Sequence, residues 1–100
     1  MDINIKAIHF DISEKLNSFI NKKIDKLVRR YPAINTVEIS LKVVKPETAL
    51  NKQAIVCLLV PQDKLVADKT ADTFEEAIDL SLEALEKQLE KSKDKDLGRQ

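Results

Sequence analysis

The chain has 100 residues, room for one domain with one modest hydrophobic core, and its 17 Lys+Arg balance 17 Asp+Glu to a formal net charge of zero at a pI near 6.6. Global basicity is therefore excluded as a sign of nucleic-acid binding, and only the distribution of charge can carry one. No apolar run approaches the ~20 residues of a membrane helix, the alternating start Met1-Asp2-Ile3-Asn4-Ile5-Lys6 is unlike a secretory signal, and the single cysteine, Cys57, cannot close an internal disulfide, so a cytoplasmic protein without membrane contact is expected.

Ile3, Ile5 and Ala7 alternate with Asn4 and Lys6, the two-residue period of a half-buried strand. Asp11 or Ser13 then caps a helix, Asp11 with Glu14 having capping-box spacing. Leu16, Phe19, Ile20, Ile24, Leu27 and Val28 form its apolar stripe, and Pro32 ends it by disfavouring helical geometry at Tyr31. Val37, Ile39, Leu41 and Val43 predict a second strand, Pro46 to Lys52 a loop, and Gln53 to Val60 a third strand with apolar residues on both faces. Pro61 to Lys64 reads as a turn into a brief fourth strand around Leu65 to Asp68. Thr73 with Glu76 makes a second capping box, opening a long helix on Phe74, Ala77, Ile78, Leu82, Leu85 and Leu89. That helix is expected to fray after Lys93, where little remains to bury.

The order is β-α-β-β-β-α. The first strand, helix and second strand form a βαβ unit, so those two strands run parallel, and the short connections that follow alternate the direction of the rest. The expected fold class is α+β: a four-stranded mixed sheet with two parallel helices packed on one face and their C-terminal ends together. A single domain spans 1–95, and 96–100 is a flexible tail.

Basic residues gather in the C-terminal halves of both helices. The first carries Lys22, Lys23, Lys26, Arg29 and Arg30 against Asp25 alone. The second carries Lys87, Lys91, Lys93 and Lys95 against Glu90 and Asp94. Acidic residues (Asp68, Asp72, Glu75, Glu76 and Asp79) cluster near the start of the second helix, so a neutral molecule is expected to have a basic end and an acidic end. Two explanations of the basic end stand side by side. Cations at helix C-termini offset the macrodipole, each worth ~0.3–1 kcal/mol, and Glu83 to Lys87 has the spacing of a stabilising pair. The like-charged i,i+4 pairs Lys22–Lys26 and Lys26–Arg30, however, each cost ~0.2–0.5 kcal/mol and are better understood if phosphates neutralise them. Two helix ends bearing long cations suit phosphates of folded RNA rather than base edges of DNA. Aromatics are few, with Phe19 and Phe74 on core stripes, so base stacking is not expected.

Other chemistry is thin. His9 stands alone and reads as an ordinary strand-end residue, so no metal site is expected. Cys57, in a strand rich in Val and Leu, behaves as a small hydrophobe without an activating base. The only glycine is Gly98, so there is no phosphate-cradling loop. Neither an enzyme nor a cofactor is expected. A second class remains: a protein–protein module using the outer sheet face at Ile55, Cys57 and Leu59.

Several segments in register resemble one family. Ala77-Ile78-Asp79, Leu85-Glu86-Lys87-Gln88-Leu89 and Lys91-Ser92-Lys93-Asp94-Lys95 resemble the last helix of the ribosome hibernation promoting factors, which include protein Y, the ribosome-associated inhibitor. Leu41-Lys42-Val43-Val44-Lys45 resembles their second strand, Ile12-Ser13 through Lys26-Leu27 their first helix, and Pro61 with Leu65-Val66-Ala67 their second hairpin. The resemblance implies a fold like the double-stranded RNA-binding domain and a factor that occupies the mRNA/tRNA channel of the small ribosomal subunit through rRNA contacts. It implies inhibited translation and preserved idle ribosomes under stress or in stationary phase. It places RNA contacts at Lys23, Lys26, Arg29, Lys87 and Lys91. Relatives often carry a further basic residue early in the first helix, where this chain has Asn17. The chain resembles the short form of the family, so any pairing of ribosomes is expected to need a separate dimerising factor or a conformational effect on the subunit.

Overall fold

Strand β1 (Asp2–Ala7) alternates exposed and half-buried positions along its length, as an edge strand with one face on a core must. A computed structural model describes residues 2–44, 50–61 and 63–98, with side chains through Lys91. After β1 the chain turns at His9, whose φ of 66° is left-handed, a region in which histidine is enriched among non-glycine residues.

Helix α1 (Glu14–Arg30) begins at Ser13, whose Oγ accepts from the Leu16 N–H at 3.1 Å. Ser13, not Asp11, is therefore the cap. Tyr31 closes the helix, its N–H donating to the Leu27 carbonyl, one residue before the proline that forbids another turn.

Three more strands follow, β2 (Thr36–Val43), β3 (Lys52–Val60) and β4 (Asp63–Ala71), giving the sheet order β1-β2-β3-β4. β1 and β2 are parallel, with Ile3 opposite Val37 and Ile5 opposite Ile39. The other two junctions are antiparallel. β4 is nine residues long, not the brief strand expected over Leu65 to Asp68. It pairs with the whole of β3, from Asp63 opposite Val60 to Ala71 opposite Lys52. Lys69 and Thr70 join the ladder through their backbones, which hydropathy does not report. Lys52, expected in the loop, opens β3; residues 45–49 of that loop and Gln62 of the next turn lie outside the described residues.

Helix α2 (Phe74–Gly98) starts after Thr73, whose Oγ1 accepts from the Glu76 N–H at 3.1 Å. Its backbone is helical to Gly98, beyond Lys93. No proline or β-branched residue interrupts Lys93 to Leu97, and the first helix-breaking residue is the chain's only glycine. Residues 96–98 of the expected tail thus continue the helix, while 99 and 100 lie outside the described residues.

Both helices bury their stripes on the same sheet face. Ile20, Ile24, Ile39, Leu41, Leu58, Ile78 and Leu85 are all at most 1% exposed and share one core. α2 lies across β3 and β4, and the Ser81 hydroxyl, wholly buried, donates to the Ala54 carbonyl at 3.3 Å. Phe10, ahead of α1, stacks on Phe74 at the start of α2 with centroids 4.9 Å apart, so the helix N-terminal ends lie together. Phe19 and Phe74 are partly buried and pack against the core, as their stripes predicted. Leu85→Ala should cost about 2–5 kcal/mol through lost transfer energy and a residual cavity. Urea unfolding measures this, and a loss below ~1 kcal/mol would show that α2 is not part of the cooperative core.

Candidate nucleic-acid interface

The expected cations occupy three separate places. Lys23, Lys26, Arg29 and Arg30 line an open groove of about 750 Å³ between α1 and α2, together with Asp79, Glu83 and Glu86. Lys87 and Lys91 line the adjoining surface of α2, which they share with Glu83, Glu86 and Glu90. Lys22 faces the other side of α1, beside Asn17, Asn21 and Ile3. Lys93 and Lys95 continue α2, but their side chains lie outside the described residues.

Glu83 and Glu86 border both the groove and the α2 surface. The expected basic end is therefore corrected in one respect: a ridge of α2 carboxylates stands between the α1 cations and Lys87 with Lys91. Helical geometry is the reason. Asp79, Glu83, Glu86 and Glu90 recur at three- and four-residue spacing and so share one face of α2, and that face meets α1.

The ridge is also paired. Lys23 Nζ lies 3.1 Å from Asp79 Oδ1, and Arg30 reaches Glu86 at 3.4 Å and Glu90 at 3.6 Å. Arg30 and Glu86 are 56 positions apart, and Lys23 and Asp79 have the same separation. A constant separation is what parallel helices in register produce. Arg29 pairs along its own helix with Asp25 at 3.1 Å. Every one of these partners is at least 40% exposed, so each pair contributes at most about 1 kcal/mol and offers little resistance to exchange. Glu83 and Lys87 form no ion pair among the described residues, despite their i,i+4 spacing.

The acidic cluster expected at the other end also has structural partners. Asp68 accepts from the Gln53 amide across β3 and β4, and Asp72 accepts from the Leu50 N–H. Glu75 and Glu76 occupy the first turn of α2, where carboxylates offset the macrodipole.

One feature escaped the sequence pattern. Tyr31, at the end of α1, donates its hydroxyl to Glu90 Oε1 at 2.6 Å, and the Arg30 guanidinium lies 5.5 Å from the centre of the Tyr31 ring. The available signal was the spacing: Lys23 and Arg30 repeat at the same interval as Asp79 and Glu86. It becomes readable only when the two helices are known to be parallel neighbours.

The remaining candidates stay outside this surface. His9 is exposed on its turn. Cys57 is only 8% exposed on the outer sheet face. Burial pushes its thiol above the ordinary value, with Glu38 adding to the effect and Lys64 opposing it, the reverse of what a nucleophile needs.

A protein-family model described as "Sigma 54 modulation protein / S30EA ribosomal protein" matches residues 3–96. The chain belongs to that family. Among its S30EA relatives is a ribosome hibernation promoting factor of Azotobacter vinelandii, 30% identical over 100 residues, covering 100% of this chain and 90% of that protein. A second, from Pseudomonas putida, is 26% identical over 95 residues, with 95% and 89% covered. A solved structure of a ribosomal subunit interface protein from Coxiella burnetii matches with a TM-score of 0.82 at 25% identity, over 93% of this chain and 98% of that one. The N-terminal domain of Protein Y from Thermus thermophilus matches in fold, with a TM-score of 0.75 at 18% identity over 91% and 98%.

Tyr31 is the only tyrosine and there is no tryptophan, so phenolate absorbance reports alone on the clasp that its hydroxyl makes with Glu90. Its hydroxyl titrates above the ordinary 10.0, chiefly because it donates to Glu90, with burial and the Glu90 charge adding and Arg30 opposing. A raised folded-state pKa means that the clasp's contribution is complete below the unfolded value and fades as pH climbs through the folded one. Glu90→Ala, which removes both the acceptor and the charge, should move the midpoint down toward the ordinary value. An unmoved midpoint would show that the clasp does not form in solution.

Proposed function

We propose that this protein is a non-enzymatic, ribosome-binding hibernation factor. It occupies the mRNA/tRNA channel of the small subunit through rRNA contacts, inhibits translation, and preserves idle ribosomes in the cytoplasm under stress or in stationary phase. Membership of the S30EA family, with relatives named as ribosome hibernation promoting factors, supports ribosome association. The observation that carries the RNA reading is the set of exposed lysines on both helices. Lys22, Lys26, Lys87 and Lys91 have no carboxylate within ion-pair distance among the described residues. Such lysines suit phosphate oxygens as point charges. Arg29 joins them by giving up one exposed pair, and Lys93 and Lys95 extend the row by their place on α2. Any pairing of ribosomes is assigned to a separate dimerising factor.

The competing protein–protein reading is weaker. On the outer sheet face Ile55 and Leu59 are half-buried and Cys57 is buried, leaving Val66 as the exposed apolar residue at 47%. A stable interface of about 800 Å² per partner needs more than this.

The test is co-sedimentation with purified small subunits across a salt series. Each phosphate contact should contribute about −0.7 to −0.9 to the slope of log affinity on log salt. The double variant Lys26→Glu plus Lys87→Glu should abolish association while leaving the melting temperature unchanged. Undiminished binding by that folded variant would remove these lysines from the interface.

A further inference from the structure

We infer that Glu86 and Glu90 act as built-in competitors for the RNA-binding cations and hold down the affinity of the surface for phosphate ligands. This inference rests on the RNA-binding reading above. Arg30 is held by both carboxylates, at 3.4 and 3.6 Å, longer than the ~2.7–2.9 Å of a strong charge-assisted bond. Glu90 is steadied in turn by the Tyr31 hydroxyl at 2.6 Å. The Arg30 side chain is 59% exposed, so a phosphate can reach it, but only by displacing a carboxylate already in place.

Flexible single strands must surrender conformational freedom to set phosphates against the cations, and here they must also expel the resident carboxylates. Folded RNA holds its phosphates in fixed positions before contact and loses less on binding. Both ligands must expel the same carboxylates, so the ion pairs weaken both. The zero net charge of the chain acts in the same direction, since no long-range attraction gathers polyanions indiscriminately.

The test compares Glu86→Gln plus Glu90→Gln with the control Asp2→Asn plus Glu38→Gln. The control changes net charge equally at exposed strand positions outside the groove. The amide oxygen at position 90 can still accept from Tyr31, so the helices stay joined. Probes are poly(U), as a flexible strand, and purified small subunits. For poly(U), the groove variant should gain at least about fivefold in affinity over the control, the factor equivalent to ~1 kcal/mol. Its salt slope should steepen by about 0.7 for a released cation on a single strand. Small-subunit affinity should rise in the same direction. A poly(U) gain no larger than the control's overturns the inference. Should the double variant fail to fold, Glu86→Gln alone, set against Glu38→Gln alone, gives the same comparison. Failure of the wild-type chain to sediment with subunits would sink the ribosome reading instead, and the poly(U) arm would still decide whether the carboxylates compete.

Discussion

Two helices share one face of one sheet, and the direction of the strands beneath makes them parallel. The right-handed crossover from β1 to β2 sends α1 back across the sheet, and two antiparallel junctions later β4 points as β1 does. α2 must then return along the same path as α1. Three contacts mark that alignment in order: the Phe10–Phe74 stack near the N-termini, Lys23 with Asp79 midway, and Arg30 with Glu86 near the end of α1. The buried core supplies the energy of this arrangement, while the exposed ion pairs contribute little and serve mainly to align.

This arrangement determines how a neutral chain presents charge. Parallel helices bring the like ends of their dipoles together, so cations at both C-terminal halves are favoured but crowd one another. The α2 carboxylates relieve that crowding within the groove. They divide what composition alone suggests is one basic end into separate lysine-bearing faces around an acidic ridge. Level with Glu86, α1 has reached Arg30, its last helical residue, whereas α2 continues to Gly98, about 18 Å further at 1.5 Å per residue. The positions of Lys87, Lys91, Lys93 and Lys95 therefore lie on a rod with no neighbouring helix.

Most of the fold was legible because burial writes a period into the sequence. Alternation at Val37, Ile39 and Leu41 and the stripes through Ile20 and Ile24 or Ile78 and Leu85 report which side faces the core. Ser13 and Thr73 report where helices begin. What stayed illegible has no such imprint: the backbone pairing of Lys69 and Thr70, and the helical run from Lys93 to Gly98. At the candidate interface the basic positions were visible as residue types, but the interleaving of Asp79, Glu86 and Glu90 among them was not. It depends on the angular setting of one helix against another, which neither helix encodes alone.

That setting has an index mark. Among the described side chains of α2, Ser81 carries the one hydroxyl that the core encloses, and the Ala54 carbonyl is its partner. Rolling α2 by a single position, ~100° of azimuth, would strand that hydroxyl in hydrocarbon at a penalty of about 1–3 kcal/mol. That bond, together with the buried stripe of Ala77, Ile78, Leu82, Leu85 and Leu89, fixes the clock angle at which the side chains on the far side of α2 meet solvent.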